Sequence, residues 1–564
     1  MSEKVREPAD HRRPLLALAS IIFLLLIPFV NKAYHIDDPF YLWTGQHILE
    51  DPFDFYGYDI NWTGFNSSAA AENKNPPLVS YYMALVGLLV GWQEWTMHLA
   101  FMFPAIGVGL GSYLIATRFT ERPLLSIVIA ISTPAFVVSS TNVMAEIMML
   151  CFYVWAIHFW MLGIETKKNR YLFVGALCIA ASTLAKYFGF SLLPLLFVFT
   201  ILETRKPGWW LAHLGIAVGI ILLYEAWTLY LYDQGLLSEA ATFATDYRQE
   251  NAISRNTKSF VGLAFTGGCI ASVTLLSPVL FSWKWHLPVW VSGAYFFFIA
   301  YNYPHIFQEQ HILKRDHNDW NFIVHFSIFC VAGLFVILLP ILDLLKHRNK
   351  ESLFLFLWVM GTFLFATQVN WTANARSIVP MATPIGILVG RRLSLVHTDK
   401  PFPLRRVSTG LTIALMLALT LAYADYTLAR AGKQAAAVLT EKFPDEDSTI
   451  RFTGHWGYQY YMMQTQYFQP LVYNPTLFKE GDILIISENN TGLFLEDGQG
   501  DFPDPMTIDV FPWATVWSKS KRSGLYADIW GSIPYSFGLI PDETFHIMLS
   551  YRDTMIDLKE FKPE

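Results

Sequence analysis

Long apolar runs separated by short charged turns constrain this chain more than any other feature. A helix needs roughly 20 mostly apolar residues to cross the hydrocarbon core of a bilayer. About thirteen stretches meet or approach that length: 14–31, 97–117, 124–141, 143–163, 171–186, 188–203, 209–231, 259–281, 287–303, 321–345, 352–369, 377–393 and 407–428. Backbone groups in lipid find no water to bond, so such runs fold as helices. The expected fold is an all-α polytopic membrane protein. Of the 564 residues, 53% are hydrophobic and only 15% charged, too few charges to cover a soluble protein of this length. The net charge of -6 and the lack of a long basic tract argue against a nucleic-acid partner. Cys151, Cys178, Cys269 and Cys330 lie inside apolar runs and form neither a disulfide framework nor a CxxC metal site.

Loop charge predicts the threading. Cytoplasmic loops carry an excess of Lys and Arg. Lys4, Arg6, Arg12 and Arg13 precede the first run, so the N-terminus is expected inside, with the first run retained as a spanning helix. Every second loop should then be basic. Those loops hold Arg118 and Arg122; Lys167, Lys168 and Arg170; Arg205 and Lys206; Lys284; Lys346, Arg348 and Lys350; and Arg391, Arg392, Lys400, Arg405 and Arg406. The alternation requires the apolar stretch Leu78 to Trp92 to lie flat on the outer surface rather than span. An odd number of spans places the C-terminal part outside the plasma (inner) membrane.

Beyond about residue 429, charge and turn residues increase, and short strand-like runs appear, such as Asp482–Ser487 and Met506–Trp517. The expected division is a transmembrane domain over 1–428 and a small α/β extracytoplasmic domain over 429–564.

On this topology, polar residues collect at one membrane face. The first outer loop holds the adjacent carboxylates Asp37 and Asp38, then Glu72, Lys74 and Asn75. The next outer turn, Ser139 to Asn142, is followed by Glu146 at the start of a span. Lys186 lies in the third and Arg376 in a later one. Single cations at such positions can simply snorkel to the interface, and an acid at a helix start favours the N-terminal dipole. Carboxylates and cations meeting at one face suit glycosyl transfer from a lipid phosphate. A carboxylate accepts the proton of an acceptor hydroxyl, and cations stabilise charge on the departing phosphate. Asp37, Asp38 and Glu146 are the candidate catalytic residues; Lys74, Lys186 and Arg376 are the candidate phosphate ligands. Tyr41, Asn75, Tyr81 and Tyr82 are candidates for a substrate groove. The three carboxylates could also hold a divalent cation, although the cations can serve the phosphate without one, and no cofactor is firmly expected.

Five motifs carry a family resemblance. Asp37-Asp38-Pro39-Phe40-Tyr41 resembles the acidic Asp-Glu-x-x-Tyr motif of GT-C membrane glycosyltransferases. Asn73-Lys74-Asn75-Pro76-Pro77-Leu78 resembles their Lys-Pro-Pro-Leu element, with Lys74 displaced by one position and Asn75 in its place. Glu146 to Leu150 sits where the family has Asp-x-x-Leu. Ser182 to Gly189, containing Lys186, resembles its Thr-Lys-Gly turn, and Arg376 to Pro384 its Arg-Tyr-x-x-Pro-x-x-Pro helix. The branch is that of the protein mannosyltransferases and lipid A aminoarabinose transferases, and the similarity covers about residues 10–400. It implies an inverting transferase of the cell envelope. The donor would be a polyprenyl-phosphate-linked sugar and the acceptor a lipid, a glycan or a protein, with membrane lipids as surroundings. Rival readings are a transporter or flippase for a lipid-linked or anionic solute, and an oligosaccharyltransferase or polymerase of the same fold. Transporters more often show repeated halves with charges near the midplane; here no repeat is visible.

Overall fold

The structure is a computed structural model that describes residues 11–250, 255–307, 319–396, 401–444, 450–465, 467–472, 476–491, 505–550 and 554–556. Lys4, Arg6 and Lys400 of the charge pattern lie outside the described residues.

Among the described residues, nine helices are long and apolar enough to cross a membrane, or eleven if each of two bent pairs counts as one span. They begin with Arg12–Phe29, Glu94–Phe119 and Ala145–Thr166 and end with Ala375–Val396 and Leu404–Lys442. The difference from the expected thirteen has local causes. Pro123–Ile131 and Pro134–Ser140 bend by 66° at a break that Thr133 caps, its hydroxyl accepting from the Phe136 N–H. Asn256–Cys269 and Ser272–Leu280 bend by 80°. Asn169–Ala185 has 17 residues and falls short. Trp283–Asn302 carries Lys284 and His286 near its start and is not among the apolar spans. Leu78–Val90 is a 13-residue helix, about 20 Å long, which is too short to cross by itself. It leaves Leu85, Leu88, Leu89 and Val90 exposed.

Small residues bring helices together. A Cβ on Gly333 would meet the Leu263 carbonyl at 2.2 Å, and one on Gly267 would meet the Phe329 carbonyl at 1.9 Å. The backbones of Arg255–Cys269 and Trp320–His347 therefore touch, as membrane helices do where glycine removes the side chain.

Basic loops meet at one end of the bundle. Arg118 at the end of Glu94–Phe119 grips both oxygens of Glu165 at the end of Ala145–Thr166. Arg391 stands 3.3 Å from Asp343, and Lys350 pairs with Glu203. Glu146 begins the helix that Glu165 closes, so the two lie roughly 30 Å apart at opposite ends.

The last long helix runs unbroken from Leu404 to Lys442, so residue 429 falls inside it. After it comes a mixed five-stranded sheet. Its strands are β1 (Ile450–Thr453), β2 (Phe468–Pro470), β3 (Ile483–Ser487), β4 (Met506–Ile508) and β5 (Glu543–Leu549), in the order β2-β1-β3-β5-β4. β1 is parallel to β2 and β3, with helix Trp456–Met462 crossing between β1 and β2. β5 runs antiparallel to β3 and β4. The run expected as one strand, Met506–Trp517, divides into β4 and the start of short pairings at Ala514–Thr515 and Trp517–Ser518.

This sheet region docks on the loop that carries the paired aspartates. Gly457 lies so close that a Cβ there would meet the Tyr34 carbonyl at 2.0 Å. The Tyr34 N–H donates to the Tyr461 hydroxyl at 2.8 Å, and the Asn61 side chain donates to the Leu471 carbonyl at 3.1 Å.

Candidate active site

Asp37 occupies the position before the helix Asp38–Glu50, in a turn that Ile36 enters with a positive φ of 48°. Its side chain remains partly exposed at 24% and forms an ion pair with Arg376. Arg376 is the second residue of the helix Ala375–Ile378, whose cap is Asn374 accepting the Ser377 N–H at 2.8 Å. The guanidinium has further neighbours. Nη2 donates to the Tyr526 carbonyl at 3.2 Å, Nη1 lies 3.6 Å from the Met144 sulfur, and Nε is 3.7 Å from Glu146 Oε1. Glu146 is buried, and Lys186 Nζ donates to its Oε1 at 2.5 Å. Asp37, Arg376, Glu146 and Lys186 thus form an alternating chain of opposite charges drawn from four distant segments. Tyr41, one turn after Asp37, is buried near this chain. Burial, with the charges of Glu146 and Asp37 adding, pushes its hydroxyl well above the usual tyrosine range.

Asp38 has another place. It is fully buried, and its oxygens accept the N–H groups of His35 at 2.9 Å and Val143 at 3.1 Å. It ties the turn at His35 to the turn at Val143. Burial pushes its carboxyl up to about 8, against the pull of Lys32.

The structure does not bring Lys74 to the charged chain. Lys74 Nζ donates to the Ala71 carbonyl at 2.7 Å and to Glu239 at 3.1 Å, and it stands 5.2 Å above the Phe243 ring. Lys74 is tethered to helix Leu236–Glu250, which followed from no sequence signal. Three groove candidates have local partners. The Asn75 carbonyl accepts from the Tyr56 hydroxyl, the Tyr81 hydroxyl donates to the Pro52 carbonyl, and the Tyr82 hydroxyl donates to the Ala100 carbonyl. Asp37, Asp38 and Glu146 do not form a metal-ligand set. Among the described residues, no group of three His, Cys, Asp or Glu side chains is placed to hold an ion.

Several residues at the site were not singled out from the sequence. Tyr526 and Asp528 reach it from beyond the spans. Asp528 accepts from the Thr372 hydroxyl and from the Ala373 N–H at 3.0 Å, and the Ala375 N–H donates to the Leu525 carbonyl at 2.8 Å. Segment 525–528 therefore clamps the turn from which Arg376 projects. Lys32 and Asp425 are ion-paired and wholly buried beside Asp38. Asp425 had a sequence signal, since an acid inside an apolar span is rare and marks a partnered site.

Structural comparison finds distant likenesses. The Archaeoglobus fulgidus oligosaccharyltransferase in the apo form is 15% identical, with a TM-score of 0.47 over 83% of this chain and 65% of that one. The present chain thus spans less than two thirds of that enzyme's length. ArnT from Cupriavidus metallidurans bound to undecaprenyl phosphate is 13% identical, with a TM-score of 0.40 over 84% of this chain and 92% of that one. The mycobacterial arabinofuranosyltransferase AftD is 11% identical, with a TM-score of 0.37 over 96% of this chain and 42% of that one. No curated protein matches the sequence. Residues 74–230, which include Lys74, Glu146 and Lys186, match the family model of the dolichyl-phosphate-mannose-protein mannosyltransferases, the branch of membrane glycosyltransferases that the sequence motifs resemble.

Proposed function

We propose that the chain is an integral-membrane inverting glycosyltransferase taking a monosaccharide from a polyprenyl-phosphate carrier. The observation that carries this reading is the chain Asp37–Arg376–Glu146–Lys186, in which two cations are held by two carboxylates at one end of the bundle. A donor phosphate is a third anion competing for those cations. Arg376 matches a phosphate bidentately, and Lys186 adds a point charge. Engaging Arg376 would loosen its hold on Asp37, leaving a partly exposed carboxylate free to act as a base.

The reaction then balances. Asp37 takes the proton of the acceptor hydroxyl, and the hydroxyl oxygen bonds to the anomeric carbon from the side opposite the phosphate. The bond between that carbon and the phosphate oxygen breaks, and its electron pair leaves with the phosphate, where Arg376 and Lys186 stabilise the added charge. Glu146 holds both cations in place between turnovers. The basic loops gathered at the far end support a cytoplasmic placement of that end and an outer-face site. The acceptor is a lipid, a glycan or a protein side chain.

Incubating purified protein with monosaccharide donors on polyprenyl phosphate tests the reading. Release of polyprenyl phosphate with transfer of the sugar, detected by mass spectrometry, is the expected result. Movement of intact donor across vesicles without cleavage would instead support a flippase.

A further inference from the structure

Behind the charged chain lies a second buried centre that the proposed reaction leaves unused. Lys32 and Asp425 are ion-paired and fully buried. Lys32 Nζ also donates to Asn142 Oδ1 at 2.6 Å. Asp425 accepts from the Tyr526 hydroxyl at 2.6 Å, and His35 Nε2 stands 3.4 Å from its other oxygen. The Asn142 amide donates to the Tyr526 hydroxyl at 2.9 Å. Stability alone does not call for such a pair, since well-packed apolar residues of similar volume often serve as well or better.

What the network holds is more telling. Asn142 lies in the turn that leads through Val143, fixed by Asp38, and Met144, against Arg376, to Glu146. Lys32 and His35 lie in the short segment that ends at Asp37. Tyr526 has its hydroxyl in the network and its carbonyl on Arg376. Three members of the charged chain are thus each one short segment away from the same buried centre.

We infer that the Lys32–Asp425 pair, with Asn142 and Tyr526, is a positioning device that fixes the spacing of Asp37, Glu146 and Arg376. The inference rests on the phosphate-binding reading for its consequence, but not for its geometry. None of the four residues contacts the donor in that reading; they act through the segments they pin.

The test replaces both charges at once. Lys32→Met with Asp425→Leu roughly keeps the length and branching of both side chains and leaves no orphaned buried charge. Hydrogen–deuterium exchange without ligand is expected to rise in segments 35–38, 142–146 and 525–528 and to stay unchanged elsewhere. Affinity for undecaprenyl phosphate in detergent micelles is expected to fall about tenfold at a matched melting temperature, since small misplacements of binding groups carry penalties of that order or more. In an Arg376→Ala background the same swap should cost clearly less, only what reaches the phosphate through Glu146 and Lys186, because coupled positions are non-additive; a merely structural role would lower affinity equally in both backgrounds. If the double variant fails to fold, Tyr526→Phe, which keeps the ring and the carbonyl, is read by the same two measurements. Unchanged exchange in the three segments overturns the positioning role. Raised exchange in a protein whose wild-type form binds no undecaprenyl phosphate leaves the positioning role standing and overturns the phosphate reading instead.

Discussion

Asp37 and Arg376 lie 339 residues apart in sequence and form an ion pair at the mouth of the bundle. Asp37 holds the guanidinium at Nη1, and Glu146 approaches it at Nε.

Asp37→Asn keeps the shape of the side chain and removes its ability to accept a proton. Sugar transfer should fall by roughly 10²–10⁴ with folding intact, the usual contribution of a positioned general base. Donor binding should hold or tighten, because Arg376 loses its internal competitor. Rates near wild type would remove Asp37 from the chemistry.

Arg376→Ala should weaken undecaprenyl phosphate binding by about 1.5–3 kcal/mol, the range for a hydrogen bond to a charged group. Arg376→Lys should recover only part of this, since it loses the planar fork. Titration of the phosphate lipid against both variants reads the difference directly.

Lys74→Ala is expected to leave phosphate binding almost unchanged. Its ammonium is partly exposed and paired with Glu239, an interaction typically worth under about 1 kcal/mol. A loss of phosphate affinity comparable to that of Arg376→Ala would mean that the pairing with Glu239 is exchanged for the ligand.

Glu543 supplies a pH dependence in the sheet region. Burial raises its carboxyl from 4.5 to about 7, against the hydrogen bond from the Asn489 amide. The folded state therefore keeps a proton that the unfolded chain releases between about pH 4.5 and 7. Unfolding releases protons there, so stability falls as pH rises through that window. Glu543→Gln should make this decline shallower without removing it, since the buried Asp38 carboxyl, raised to about 8, acts in the same direction over the same window; the melts stay below about pH 7.5, clear of Lys519, whose ammonium burial holds down to about 8. An unchanged slope would place the dependence elsewhere.

The proposed orientation can be read with single cysteines. Lys168 and Asp542 are both exposed, whereas Cys269 and Cys330 are buried and Cys151 and Cys178 only half-buried. In intact cells, a membrane-impermeant maleimide should label Asp542→Cys and spare Lys168→Cys. Labelling of both or neither, against the native-cysteine background, would contradict the threading.

Apolar runs and turn chemistry determined much of this protein in sequence alone. The spans Glu94–Phe119, Ala145–Thr166 and Ala375–Val396 follow from local composition, because lipid leaves an apolar segment no alternative to the helix. Asp37, Glu146, Lys186 and Arg376 were visible because each is a charge beside a helix end at the same expected face. Tertiary structure decided which charges meet. Lys74, displaced by one position in its motif, stood beside Lys186 as a candidate phosphate ligand, but Glu239 captured it, and nothing local in either residue announces that pairing. Asp38 looked like the twin of Asp37, yet one residue of rotation buries it against two backbone N–H groups while Asp37 stays at the surface. Segment 525–528 follows all the matched motifs and still supplies a carbonyl to Arg376 and a clamp on its turn. Periodicity and charge are properties of neighbouring residues and can be read along the chain. Ion pairs between segments hundreds of residues apart depend on how helices pack, and only the folded molecule fixes that.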